Sequence, residues 1–186
     1  MSRIRQIQPA DATPEARKVL DAVQSKFGLV PNLAKAMANS PAALNAYLQF
    51  SGALADGVIP PATREQIALA VAQANDCDYC LAAHCAIGQM VGLTVDQVRD
   101  SRKGKAADTR TDAILHFSRK LVEVRGRVSD ADLEGLRRAG VSDAEIAEVI
   151  ANVAVNLFTN YFNHVAETVV DFPVAPRLEA VGTSAR

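Results

Sequence analysis

Glu65-Gln66-Ile67-Ala68-Leu69-Ala70-Val71-Ala72-Gln73-Ala74-Asn75-Asp76-Cys77-Asp78-Tyr79-Cys80-Leu81-Ala82-Ala83-His84-Cys85 is the stretch on which the reading of this chain turns. Residues 61–74 have a helical pattern. Asn75-Asp76 interrupts it, and Asp76 is placed to cap a second helix that ends near Gly92. Cys77 then falls in the first turn of that helix, where unpaired amides and the positive end of the helix dipole favour a thiolate. Cys80, three residues on, shares nearly the same face, a spacing that suits a reversible disulfide. His84 follows Cys80 by four residues on that face. Its imidazole can take a proton from a thiol or give one to a leaving alkoxide. Glu65 lies on the preceding helix and can orient or tune His84 if the two helices pack together.

Outside this stretch, helix start and stop signals punctuate the chain. Thr13-Pro14-Glu15 combines a cap, a first-turn proline and an acidic first turn. Ala16, Val19, Leu20, Val23 and Phe27 follow at helical spacing, up to Gly28. Ser40-Pro41 repeats the start signal ahead of Leu44, Tyr47 and Leu48. Thr94 with Gln97 and Ser142 with Glu145 read as capping boxes. Gly57, Gly92, Gly126 and Gly140 sit where helices should stop. No segment alternates apolar and polar residues for long enough to make a strand, so the expected fold is all-α, with about eight or nine helices and no substantial sheet. One domain over residues 1–186 is expected, its motif core at about residues 60–92, with short N- and C-terminal extensions. The longest apolar helix is expected to run from about Asp143 towards Val170. Its Ile146, Val149, Ile150, Val153, Val155, Leu157 and Phe158 are spread too widely for one stripe, which implies burial on several sides, in the core or against another subunit. Residues after Pro173 read as an extended or loosely ordered end.

Composition narrows the function classes. A chain of 186 residues can bury one sizeable core, and 49% hydrophobic with 22% charged residues is ordinary for a folded soluble protein. Twenty Lys and Arg stand against 21 Asp and Glu, a net charge of −1, so no strongly basic face and no nucleic-acid partner is expected. No apolar run approaches the roughly 18 residues of a membrane span. Met1-Ser2-Arg3-Ile4-Arg5-Gln6-Ile7 lacks the apolar core of a signal peptide, so the default expectation is a cytoplasmic protein without a membrane partner. Cys77, Cys80 and Cys85 are the only cysteines. Such clustering, in a chain without an export signal, points to redox chemistry or metal binding.

Each candidate residue also has a plainer role. Cys-x-x-Cys serves structural zinc elsewhere, but the usual second Cys/His pair is missing. The other histidines are His116 and His164, so a closed site would need Cys85 or a distant histidine. Cys85 does not share the face of the pair and reads as a small buried hydrophobe. Tyr79 reads as a pocket wall, its hydroxyl a possible accessory to a proton relay. Ser101-Arg102-Lys103-Gly104-Lys105, the one basic cluster, reads as a solvated linker rather than an anion-binding loop.

The pattern Glu-x11-Cys-x-x-Cys-x3-His resembles that of the AhpD-like alkylhydroperoxidases within the carboxymuconolactone decarboxylase-like superfamily. Val30-Pro31-Asn32-Leu33, Ser40-Pro41-Ala42 and Ala68–Ala74 ahead of the cysteines are similar to that superfamily as well. Asn160-Tyr161-Phe162-Asn163-His164 and Asp171-Phe172-Pro173 resemble its peroxidase-related subgroup. The likeness covers about residues 25 to 173. It implies an all-α fold that assembles into homo-oligomers, with Cys80 as peroxidatic cysteine and Cys77 as proton donor and resolving thiol. It further implies that His84 and Glu65 form the proton relay. The best-characterised member has a histidine where this chain has Tyr79.

The function so implied is a thiol-dependent peroxidase, reducing organic hydroperoxides or hydrogen peroxide through a Cys77–Cys80 disulfide. That disulfide is then reduced by an external dithiol, such as a protein-bound dihydrolipoyl group. Without a glycine-rich nucleotide motif, no bound nicotinamide or flavin is expected. Two other readings stand beside it: a redox sensor or scaffold whose disulfide switches assembly, and a decarboxylase of the carboxymuconolactone type. The decarboxylases do not depend on a Cys-x-x-Cys pair.

Overall fold

The computed structural model describes residues 2–178, with the side chains of Lys26 and Phe27 left out. The expected core role of Phe27, and the chain end beyond Leu178, therefore lie outside the described residues. After a short 3-10 turn at Pro9–Asp11 come nine helices among the described residues. They are α1 (Pro14–Phe27), α2 (Asn32–Met37), α3 (Pro41–Ala55), α4 (Pro61–Ala74), α5 (Asp78–Met90), α6 (Val95–Arg102), α7 (Thr109–Glu123), α8 (Asp130–Arg138) and α9 (Asp143–Ala166). The described residues contain no strand, so the fold is all-α as the periodicity requires. No helix among them is long and apolar enough to cross a membrane. Thr13 and Ser40 cap α1 and α3 through their side chains, and Thr94 and Ser142 form capping boxes with Gln97 and Glu145.

The centre is α4. Ile67, Ala68, Leu69, Ala70, Val71 and Ala72 are all buried, so the middle of the helix is enclosed on every side. Small residues let α5, α6, α7 and α9 close around it. Ile67, Ala70 and Val71 meet Ile114, Leu115 and Phe117 of α7 and Ile146, Val149 and Val153 of α9. Leu20, Val23, Met37 and Leu44 make a second cluster from α1, α2 and α3.

Three local expectations need correction. Asp76 does not cap α5; it adopts a left-handed φ of 51° and closes α4, its N–H bonded to Gln73 O while Cys77 N–H reaches Ala72 O. The two helices meet so sharply that Cys77 itself becomes the N-cap of α5. The last helix stops at Ala166, where Glu167 turns left-handed, and residues 168–178 run on as an irregular strap. Within one chain that helix buries a single face, which leaves its other apolar residues for the alternative of contact with another subunit. Asn152, Asn156, Thr159, Asn160 and Asn163 point inward, while Ile150, Phe158, Tyr161 and Val165 are exposed. The basic stretch is not a solvated linker, because Ser101 and Arg102 are buried. Arg102 spends its charge on Gln73 Oε1 (2.9 Å) and Pro176 O (2.6 Å), tying the strap to α4 and α6.

Gly57 also has a different reason from a left-handed helix stop, which it is not. The Glu148 carboxylate of α9 accepts from Val58 N (2.9 Å) and Ile59 N (3.0 Å), and a Cβ at Gly57 would overlap that carboxylate. Gly57→Ala is therefore expected to displace the carboxylate and cost about 1 kcal/mol, since one exposed donor at Val58 and one partly buried donor at Ile59 lose their acceptor. Urea unfolding of Gly57→Ala, Glu148→Ala and the double variant measures it. The glycine substitution should cost little once Glu148 is gone, and simple additivity would reject the mechanism.

Candidate active site

The turn at Asn75-Asp76 sets the site. It aligns α5 on α4 so that Glu65 and His84 meet, and it puts Cys77 at the N-cap of α5 with Cys80 in the first turn. Both cysteines are free thiols, 3% and 2% exposed. α9 packs across them. Asn163 Nδ2 donates to Cys80 Sγ at 3.2 Å, Thr159 Oγ1 lies 4.0 Å from the same sulfur, and Asn160 O lies 4.0 Å from Cys77 Sγ.

The two sulfurs are driven apart in acidity. Cys80 is lowered to about 6: the Cys77 thiol donates to its sulfur, His84 attracts the anion and the Asn163 amide donates to it, all against the cost of burial. Cys77 is pushed up, because its proton is held by Cys80 and its own charge would be buried beside that anion. The dipole alone favours a thiolate at the cysteine nearer the helix start. Direct contacts reverse that preference, because they act at closer range and in a drier setting.

His84 Nδ1 lies 2.7 Å from Glu65 Oε2. With the Nδ1 proton held by the carboxylate, Nε2 is free to exchange a proton with the site. Burial opposes charge on His84, but Glu65, and then Cys80, lift its pKa above the ordinary imidazole value. Two cavities share His84 as a wall. One, of about 190 Å³, is largely apolar and is lined by Leu33, Tyr47, Tyr79, Cys80 and Phe172. The other, of about 80 Å³, is more polar and includes Ser51, Arg64 and Glu65. Tyr47 borders both, and burial, with the charges of Cys80 and Glu65, pushes its phenol up to about 12.

Tyr79 is a wall of the apolar cavity. Its hydroxyl donates to Asp171 Oδ1 (2.8 Å) and accepts from Leu33 N (3.1 Å), and its ring stands edge-on to Phe172 at 5.8 Å. The hydroxyl is thus engaged with the C-terminal strap, away from His84. Cys85 packs with Leu69, Leu93 and Val98, and burial raises its thiol pKa despite the nearby Arg102. Among the described residues, no group of three or more His, Cys, Asp or Glu is arranged to hold a metal ion. His164 lies outside the site and pairs with Asn75 O.

The sequence reading assigned no role to Tyr47, Thr159, Asn160 or Asn163. The signal was present in part. Polar residues at 152, 156, 159, 160 and 163 fall on one face of an otherwise apolar helix, which marks a face turned toward something polar.

Residues 41–123 match the model of the Carboxymuconolactone decarboxylase family. No protein among the curated sequences matches. Among solved structures, the chain is similar to a protein of Ralstonia eutropha JMP134, described as an alkylhydroperoxidase AhpD core and peroxidase-related protein. Identity is 29%, TM-score 0.81, with 91% of this chain and 92% of that one covered. A peroxidase-related protein of Silicibacter sp. TM1040 aligns at 26% identity and TM-score 0.78, over 90% of this chain and 91% of that one. A variant of the debrominase Bmp8 in complex with 2,3,4-tribromopyrrole shares the fold, at 20% identity and TM-score 0.77 over 90% and 91% of the two chains. The all-α fold is that of the AhpD-like structures, and residues 41–123 are similar to the carboxymuconolactone decarboxylase family.

The acidity gap is open to direct measurement. A group whose pKa is depressed carries its charge above that pKa, so the reduced protein should gain one thiolate as pH rises through about 6. Ultraviolet thiolate absorbance reads the step. It should vanish in Cys80→Ser, and a first step at the ordinary thiol value of about 8.5 would refute the assignment.

Proposed function

We propose that this protein is a thiol-dependent peroxidase in which Cys80 attacks and Cys77 resolves. The observation that carries the reading is the placement of Cys80. Its stabilised thiolate lines an apolar cavity, touches a second thiol, and shares that cavity with a histidine held by a carboxylate. The Cys80 thiolate attacks one peroxide oxygen, the O–O bond breaks, and sulfur is oxidised to sulfenic acid. The departing alkoxide takes a proton from His84, and Glu65 holds the imidazole in place meanwhile. Cys77 then gives up its proton and attacks the Cys80 sulfur, hydroxide leaves as water, and a disulfide forms. An external dithiol reduces the disulfide through a mixed disulfide and is itself oxidised to its disulfide; no bound cofactor takes part.

The apolar lining favours organic hydroperoxides over hydrogen peroxide. A dihydrolipoyl group on a partner protein fits the role of reductant, and a reducing cytoplasm suits the cycle. Self-association belongs to the same reading, through the exposed Ile150, Phe158 and Val165 of α9.

Replacing Cys80 by Ser should abolish turnover of cumene hydroperoxide and leave no sulfenic acid. Cys77→Ser should also stop cycling, but dimedone should then label Cys80. His84→Ala should slow turnover by about a hundredfold to ten-thousandfold, the usual contribution of a general acid–base group. Dimedone on Cys77 in the Cys80→Ser variant, and none on Cys80 in Cys77→Ser, would reverse the roles. A disulfide that forms without steady-state turnover would make the pair a redox switch instead.

The donor can be tested separately. Dihydrolipoamide should sustain turnover better than glutathione at equal thiol concentration, because its second thiol resolves the mixed disulfide intramolecularly. Equal rates would remove the case for a lipoyl-type partner.

A further inference from the structure

A row of amides buried along α9 is unusual for an apolar helix. Asn152, Asn156, Asn160 and Asn163 are each under a tenth exposed, and buried amides cost stability unless they are bonded. Asn152 and Asn156 satisfy themselves within the helix, donating to Glu148 O and Asn152 O at 2.8 Å. Asn160 and Asn163 do not. Asn163 spends its Nδ2 on Cys80 Sγ at 3.2 Å and leaves Oδ1 without a partner. Asn160 accepts from Asn75 Nδ2 at 2.9 Å through Oδ1, and its Nδ2 has no partner. Two amides with half their bonding capacity unused flank the same cysteine pair.

A neutral thiol is a weak acceptor, whereas a thiolate accepts strongly. The burial of these amides is therefore best offset when Cys80 is ionised. The other titratable groups around its sulfur are Cys77 at the N-cap of α5, His84 and Tyr79 on α5, Glu65 of α4 behind the imidazole, Asp171 of the strap behind the phenol, and Tyr47 of α3. On this side α9 contributes amides and a hydroxyl, with no formal charge. We propose that Asn163 is a catalytic residue of the site: its amide holds the Cys80 sulfur as an anion for attack. Fixed dipoles suit this task, because they stabilise the anion without adding a proton that competes with the relay.

The inference rests on Cys80 being the nucleophile, but its test uses no peroxide. The probe is iodoacetamide, with alkylation at Cys80 followed by mass spectrometry across a pH series. Asn163→Leu matches the side chain in size and lacks the amide. It should slow alkylation at mildly acidic pH by about tenfold, since a hydrogen bond to a charged group is worth roughly one pKa unit. At alkaline pH, where the thiol ionises regardless, the rate should match wild type. Asn163→Asp should be slower still near neutrality, as its carboxylate repels the thiolate. Asn152→Leu, on the same row but away from the sulfur, should leave the pH profile in place. Thermal melting identifies variants that do not fold, and Asn163→Ala replaces Asn163→Leu if the latter fails.

A folded Asn163→Leu or Asn163→Ala with the wild-type pH profile would overturn the proposal. So would a loss of rate equal at every pH, which is the mark of altered access. If the profile shifts as expected while the wild-type protein consumes no hydroperoxide, the amide role stands and the peroxidase reading falls.

Discussion

The contact between the Cys77 thiol and the Cys80 sulfur is the interaction on which the rest of the site depends. Two thiols alike in solution become a proton donor and an anion because one is pinned at a helix N-cap and the other faces donors. Everything that gives the site its chemical direction follows from that inequality. It needs two things the chain provides at different distances in sequence: a tight turn before α5, and a polar face on α9.

The turn is built from a small number of bonds. Asp76 takes a backbone conformation that glycine usually occupies and that aspartate tolerates better than most residues. In return, Cys77 closes α4 through its N–H and opens α5 at the same position. The two helices then lie close enough for Glu65 to reach His84. Small side chains along α4 make that approach possible, since bulkier ones would hold α5 off.

α9 has two duties that pull in opposite directions. Its apolar residues Val149 and Val153 pack into the main core, while its amides face the cysteines. Unsatisfied amide atoms remain at Asn160 and Asn163, a cost borne beside the cysteine pair and not elsewhere on the helix. The C-terminal strap completes the enclosure. Asp171 joins Tyr79 to the start of α2 through Asn32 N, and Phe172 supplies a wall of the apolar cavity.

The sequence by itself determined the all-α class, the capped starts of α1, α3, α6 and α9, and the shared helix face of Cys77, Cys80 and His84. These are consequences of local periodicity and capping, which act within a few residues. It pointed to Glu65 through the resemblance and on condition that α4 and α5 pack together; the structure brings Glu65 to His84. Tertiary structure alone supplies the physical cause for an anion at Cys80, the cysteine that the resemblance had marked for attack. That cause joins the Cys77 thiol three residues back to the Asn163 amide 83 positions away along the chain, at a contact range no helix dipole can match. Tertiary structure likewise decided the fate of Arg102, which local composition marks as solvated but which folding buries against Gln73 and the strap. Local pattern fixes where a side chain sits on its own helix; what that side chain meets is set by the packing of helices distant in sequence.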